Sequence, residues 1–484
     1  MFHLSDIKKY TRCSKYFHLS KRLPQPYFPY AYCNQNTMEL CKTLLNITEF
    51  YEGLPNDPKE RALEALSKYN VLINARFTYE DLRVTIPFLL KNEDGYSVIF
   101  PFNQCYPKES EAIRLANAVW ILKQNNIEVK KVSIIRLNAQ YIRQDHFDIN
   151  ECLIIDDHLY NDKNKGHRSV MELINHYMQD LGPILAKMRQ SNEDDAPSER
   201  SSVCTHHGKC IYFDTCFNFS ENPTSIYHLV QSQQKYEMFD KGIKDLSMVD
   251  PSMIEGTRHQ YAQIMAAQNK GMFIDKSALK IWIKNRITYP ITYLDFEWET
   301  YVYPPYKGMK PYDVLVFQYS MDIEKKHQGN LHHEEYIGTK DCRREFIENL
   351  LSKIPKSGSI MVFNAVGAEK LRLQQLAQQF PEYKKQLQAV WERMVDLSIP
   401  FSSGNIYDIR MAGAYSLKKL VSLFSDFKYS DLEISHGMEA VKNWRDLGDE
   451  SLESESIKQA LFQYCAMDTY SMVIVFHKII ELIS

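Results

Sequence analysis

Three observations predict an α/β fold. Residues 291–300, ITYLDFEWET, read as a half-buried strand, and two further strand candidates, DVLVFQYSMDI and HEEYIGT, follow it. A helical pattern, RREFIENLLSKI, comes next. The short apolar run GSIMVFN then reads as a buried strand, and the remaining chain is nearly all helical in spacing. Strands, a helix, a strand and then helices make an α/β layer arrangement.

The 484 residues exceed one ordinary core, so two or three domains are expected. With 44% hydrophobic and 25% charged residues, the chain is globular rather than disordered or fibrous. A formal net charge of -3 gives no global basic signal for nucleic acid, although a local basic groove is compatible with it. The start, MFHLSDIKKYTRC, has no signal-peptide core, and no run of 18 apolar residues appears, so no membrane partner is expected. The 10 cysteines do not form a disulfide framework, which suits a reducing cytoplasm. The polar stretch QSNEDDAPSERSS, residues 190–202, reads as a linker or exposed loop. From about 221 to 287 the pattern is helical. The expected organisation is therefore a front domain over 1–220, a helical connector over 221–287 and a second domain over 288–484.

In YLDFEWET, strand alternation puts Tyr293, Asp295, Glu297 and Glu299 on one face and Leu294, Phe296 and Trp298 on the other. Asp295 and Glu297 then lie roughly 7 Å apart along the strand, a spacing that suits shared divalent cations. A strand with one solvated face gives the same pattern. In LFQYCAMDTYSMVIVF, helical spacing places Leu461, Tyr464, Cys465, Asp468 and Met472 on one face. Asp468 thus sits on an apolar stripe, where a carboxylate needs a partner such as a metal or an Arg. Tyr464 lies one turn earlier on that face. The plain alternative is an Asp at the stripe's edge. Glu369 stands in the first turn of VGAEKLRLQQLAQQF, where an acid complements the helix dipole in any case.

The order of these pieces is more telling than any one of them. LDFE on a first strand, FNAVGAEKLRL at a strand-to-helix junction and YCAMD on a late helix resemble the DEDD exonuclease superfamily, in the subtype with a Tyr in its third motif. The resemblance covers about residues 288–484 and implies a ribonuclease-H-like mixed sheet flanked by helices. The chain departs from the usual middle motif, which carries an Asp after an aromatic, by having Glu369 after Ala368. More narrowly, YPPYKGMKPYDVLVFQYS, RMVDLSIPF, GAYSLKKL and YCAMDTYSM resemble a bacterial domain-of-unknown-function family of predicted nucleases, in which Glu at the second motif is usual. The resemblance implies that Asp295, Glu297, Glu369 and Asp468 hold two Mg2+ or Mn2+ ions, with Tyr464 orienting the attacking water. It makes Asn364 a candidate for substrate positioning, unless it caps the following helix. Asp396 is expected to play a supporting or structural part. The implied activity is 3′→5′ exonucleolytic hydrolysis of DNA or RNA by a two-metal mechanism. The alternative is a non-catalytic nucleic-acid-binding or scaffold protein built from two inactive nuclease-like domains.

CTHHGKCIYFDTC places Cys204, Cys210 and Cys216 at equal intervals, with Cys13 far upstream. Four thiolates suit an iron–sulfur cluster or a zinc site, and His206 or His207 is an alternative zinc ligand. One N-terminal Cys and three clustered ones resemble the iron–sulfur nucleases of the PD-(D/E)xK superfamily, with a restriction-endonuclease-like α/β domain. That superfamily needs an Asp on one strand and Glu-x-Lys on the next. In the candidate hairpin RVTIPFLLKNEDGYSVIFPFN the second strand has neither the acid nor the Lys, and Glu80 and Asp81 only precede the first strand. Residues 1–220 are therefore expected to be a degenerate, inactive nuclease-like domain.

Overall fold

The computed structural model describes residues 1–25, 29–192, 201–205, 209–217, 222–254, 256–427, 429, 433–434, 437–447 and 452–484. Most of the expected linker, residues 193–200, lies outside them, as do His206 and His207. The architecture is α/β, with mixed sheets flanked by helices. The chain divides into two units, Met1–Tyr212 with Tyr301–Asp313, and Phe213–Thr300 with Val314–Ser484.

In the first unit, strands Val71–Tyr79, Leu82–Asn92 and Gly95–Pro101 form an antiparallel meander. The hairpin read from RVTIPFLLKNEDGYSVIFPFN is present and closes at Asn92 opposite Gly95. Gly95 has φ 144, a conformation that L side chains rarely adopt. Helix Ala112–Gln124 then crosses over to Val129–Leu137, which pairs parallel with Gly95–Pro101. Its sequence, AIRLANAVWILKQ, is apolar on most sides, and it is buried from Leu115 to Leu122 against the sheet and helix Val170–Tyr177. Glu80 and Asp81 sit at the tight turn and are both held by Arg189, at 2.5 Å from its Nη2. Segment 301–313 belongs to this unit: the Val302 N–H donates to the Tyr32 carbonyl at 2.9 Å, and the buried Tyr303 hydroxyl bonds Thr37 at 3.0 Å.

The second unit is built on a five-stranded sheet of β1 (Ile291–Thr300), β2 (Val314–Glu324), β3 (Leu331–Ile337), β4 (Ser359–Val362) and β5 (Met394–Asp396). The order is β3-β2-β1-β4-β5. The first three strands are antiparallel, whereas β4 runs parallel to β1 and β5 parallel to β4. Its helices are α1 (Arg343–Lys353), α2 (Glu369–Gln379), α3 (Lys384–Trp391), α4 (Leu417–Phe424), α5 (Gly437–Arg445) and α6 (Leu452–Ile483). Alternation along β1 sends Leu294 and Phe296 into a core with Phe346 and Leu350 of α1 and Leu373 of α2. Tyr293 goes to the opposite face, against Met472 and Phe476 of α6.

The stretch 221–287, read as a helical connector, lies in the second unit. Ala262 and Ala266 of helix Arg258–Gln268 and Leu279 of helix Lys276–Arg286 are fully buried in the same core as α6. Three short strands also went unread. β5 and the ribbon Met272–Ile274 against Ile406–Asp408 have three residues each, too few to show a period.

Every residue of β2 is buried, although Gln318, Ser320, Asp322 and Glu324 are polar. Buried polar groups need partners, and α6 supplies them. Gln318 donates to the Leu461 carbonyl at 2.8 Å, Ser320 meets Thr469 at 3.0 Å, and Thr469 donates to Asp322 at 2.7 Å. These bonds fix the height of α6 along the sheet. Glu299, at the far end of β1, is 3% exposed and accepts from Nε of Arg445 in α5. Removing one partner of a buried pair strands the other charge. Arg445→Ala is expected to cost about 3–5 kcal/mol in urea unfolding, and Glu299→Gln added to it should recover part of that loss.

Candidate metal centre

Three acids from two elements gather at one end of the sheet in the second unit, and a fourth from a third element is linked to them electrostatically. β1 presents Asp295 and Glu297 on the face that meets α6, as strand alternation requires. α6 turns Leu461, Tyr464, Cys465, Asp468 and Met472 inward, with Asp468 8% exposed. One carboxylate oxygen from each of Asp295, Glu297 and Asp468 lies within 4.8 Å of the others. Glu369 enters from the first turn of α2 and is 2% exposed, and its Oε2 has no hydrogen-bond partner among the described residues.

Burial is the first cause of the upward pKa shift at each acid, and the neighbouring acids reinforce it at Asp295, Glu297 and Glu369. Asp295 is held well above the carboxylate range by burial and by the charges of Asp468, Glu369 and Glu297. Glu297 is raised by burial and Asp468, against the pull of Lys418. Glu369 is pushed up to about 8, mainly by burial, with Asp396 and Asp468 adding to it and Arg372 opposing. Asp468 is raised by burial, while hydrogen bonds from Tyr429 and Tyr464 and the charge of Lys418 lower it.

The surrounding groups are donors. The Tyr429 hydroxyl donates to Asp468 Oδ1 at 2.5 Å and lies 2.9 Å from Ser471. The Cys465 thiol, raised by burial and by the acids and so kept protonated, donates to Asp295 Oδ2 at 3.5 Å. Lys418 in α4 reaches the Tyr464 hydroxyl at 3.2 Å and lies over the rings of Tyr429 and Tyr464 at 4.7 and 4.9 Å. A Cβ added to Gly437, at the start of α5, would stand 3.7 Å from Glu297 Oε2 and 3.8 Å from the Tyr464 hydroxyl. The first turn of α5 therefore lies directly over the cluster.

Asp396, at the end of β5, accepts from the backbone N–H groups of Asn364 at 2.9 Å, Ala365 at 3.0 Å and Ser398 at 2.8 Å. It thereby holds the corner that launches α2 and presents Glu369. Asn364 occupies that corner at φ 67, in the left-handed region Asn tolerates, with its side chain exposed. It does not cap α2, because the cap position is Ala368.

A hard divalent cation fits this donor set: all four ligand candidates are carboxylate oxygens, one of them is buried without a hydrogen bond, and their crowded charge is what such an ion relieves. Tyr429 and Lys418 were not found from sequence. Tyr429 lies 39 positions from the acid it bonds. Lys418 sits beside Leu417, Leu420 and Val421 on an amphipathic helix and reads as a solvated flank.

In the first unit, Cys13, Cys204 and Cys210 are neighbours. Cys210 donates its N–H to the Cys204 carbonyl at 2.8 Å, and its thiol is pushed up by burial and, to a smaller extent, by Cys204 and Cys13. Among the described residues the three sulfurs do not gather within 4.8 Å of one another. Cys216 is half-buried and falls in the second unit.

Residues 292–416 match the model of a domain of unknown function (DUF2779). The match includes Asp295, Glu297, Asn364, Glu369 and Asp396 and ends before Tyr464 and Asp468. No curated protein and no solved structure matches the chain.

Proposed function

We propose that the second unit is a metal-dependent 3′→5′ exonuclease acting on DNA or RNA. The observation that carries this reading is the convergence of Asp295, Glu297 and Asp468 within 4.8 Å, with Glu369 electrostatically linked to them. The mixed sheet flanked by helices supports the ribonuclease-H-like resemblance, and the late-helix Tyr464 supports the Tyr subtype. Asp295, Glu297, Glu369 and Asp468 would hold two Mg2+ or Mn2+ ions. Bound there, such ions supply Lewis-acid stabilisation of the phosphoryl charge and an activated water. Water oxygen forms a bond to phosphorus, and the bond from phosphorus to the leaving 3′ oxygen breaks in line. Tyr464, held by Lys418, orients the water. Asn364, exposed at the corner that launches α2, would contact the substrate strand.

In the first unit, the arrest of Glu80 and Asp81 by Arg189 and the lack of acids on Gly95–Pro101 support a nuclease-like domain without catalysis. Cys13, Cys204 and Cys210 are the proposed first-unit ligands of an iron–sulfur cluster or zinc.

The test uses purified full-length chain, Mg2+ or Mn2+ and 5′-labelled single-stranded DNA and RNA. A ladder shortening from the 3′ end, abolished by EDTA, is expected. Binding without cleavage, by folded protein supplied with metal, would replace this reading with the non-catalytic nucleic-acid binder. Lys418→Gln removes a positive charge that favours ionised Glu297 and Asp468. Its acid limb in a pH–rate profile is expected to move up by about one pH unit, in line with what a nearby opposite charge does to a carboxyl.

A further inference from the structure

Glu324 ends β2 with its carboxylate fully buried, and among the described residues the basic side chain beside it is His477 rather than a Lys or Arg. The Tyr293 hydroxyl donates to Oε2 at 2.9 Å, and Oε1 lies 2.9 Å from Nε2 of His477 on α6. The β2–β3 turn then brings in His327, whose ring meets that of His477 at 4.9 Å between centroids and an angle of 76°. His327 is exposed and makes no hydrogen bond to the described residues. One ligand atom from each of Glu324, His327 and His477 lies within 4.8 Å of the others.

We propose that Glu324, His327 and His477 form a transition-metal site, best matched to Zn2+. Two imidazoles and one carboxylate are a zinc donor set, with a fourth tetrahedral position left to water on the exposed side of His327. Mg2+ and Ca2+ prefer all-oxygen shells, so this site and the acid cluster select different ions. Tyr293 supplies the outer hydrogen bond that fixes the carboxylate, the usual companion of a metal-bound ligand. The three ligands come from a hairpin end and from a helix about 150 positions later in the chain, so the ion ties the β2–β3 turn to α6. His477 lies nine residues beyond Asp468, or about 13 Å along the helix, so the two centres stand apart on one rigid element. The inference is independent of the nuclease reading.

The test is Co2+ and Zn2+ titration of the full-length chain with excess Mg2+ present. One Co2+ is expected to give visible d–d absorption without a thiolate charge-transfer band, and Zn2+ is expected to displace it. His327→Ala should weaken that ion at least tenfold and remove the rise in melting temperature on adding Zn2+, while the metal-free variant melts like wild type. Asp295→Asn should keep the ion. Tyr293→Phe, which keeps the buried ring, should weaken the ion roughly 10- to 100-fold. The proposal is overturned if His327→Ala binds as many ions as wild type, if only thiolate-ligated metal appears, or if wild type binds none.

Discussion

Asp295→Asn and Asp468→Asn are each expected to lower metal-dependent cleavage by about 10²- to 10³-fold, the order of loss seen when one preorganised electrostatic group is removed from an active site. The same substitutions are expected to stabilise the metal-free protein. Asp295 is raised well above the carboxylate range by burial and three acidic neighbours, so its charge is costly to the fold when no cation is bound. Asn keeps the shape and removes the charge. A gain of about 1–2 kcal/mol is the usual size for relieving such a functional site. Activity and stability should therefore move in opposite directions, measured by the 3′-end ladder and by thermal melting in EDTA. A surface acid would behave differently: neither quantity would change much. A purely structural acid, like Glu299 with its Arg445 partner, would lose stability when neutralised. Either outcome would remove Asp295 from the proposed centre.

The parts of this site that sequence made legible are those governed by short-range geometry. Alternation over YLDFEWET put Asp295 and Glu297 on one face, and helical spacing put Asp468 and Tyr464 on one stripe; both rules work within a single element. What they cannot convey is distance between elements. The meeting of β1, α2 and α6 came from a resemblance in motif order. Tyr429 and Lys418 belong to no such motif pair, and their roles depend on chain segments that come together only in the folded unit. The helical stretch 221–287 shows the same limit. Its spacing identified helices but not that Ala262, Ala266 and Leu279 fill the core under α6.

The largest pH effect should come from the same acids in the absence of metal. In an unfolded chain, carboxyls ionise near their ordinary values of about 4. In the folded protein Asp295, Glu297 and Asp468 are raised, and Glu369 is pushed up to about 8. Between those limits the native state holds more protons than the unfolded state, so stability falls as pH rises. The sign is opposite to that of an ordinary salt-bridged carboxylate, which loses stability toward acid. Glu369 alone, moving from 4.5 to about 8, represents on the order of 5 kcal/mol between its protonation states at about 1.4 kcal/mol per pH unit. The EDTA-treated protein should therefore melt higher near pH 5.5 than near pH 8. A divalent cation replaces those protons, so Mg2+ or Mn2+ should raise the melting temperature most at alkaline pH and flatten the profile, releasing protons as it binds. Asp295→Asn should show a shallower slope in EDTA, which separates the cluster from every other titrating group. If wild type and Asp295→Asn share one pH profile with and without metal, the four acids do not act as a coupled cation site, and their closeness has another cause.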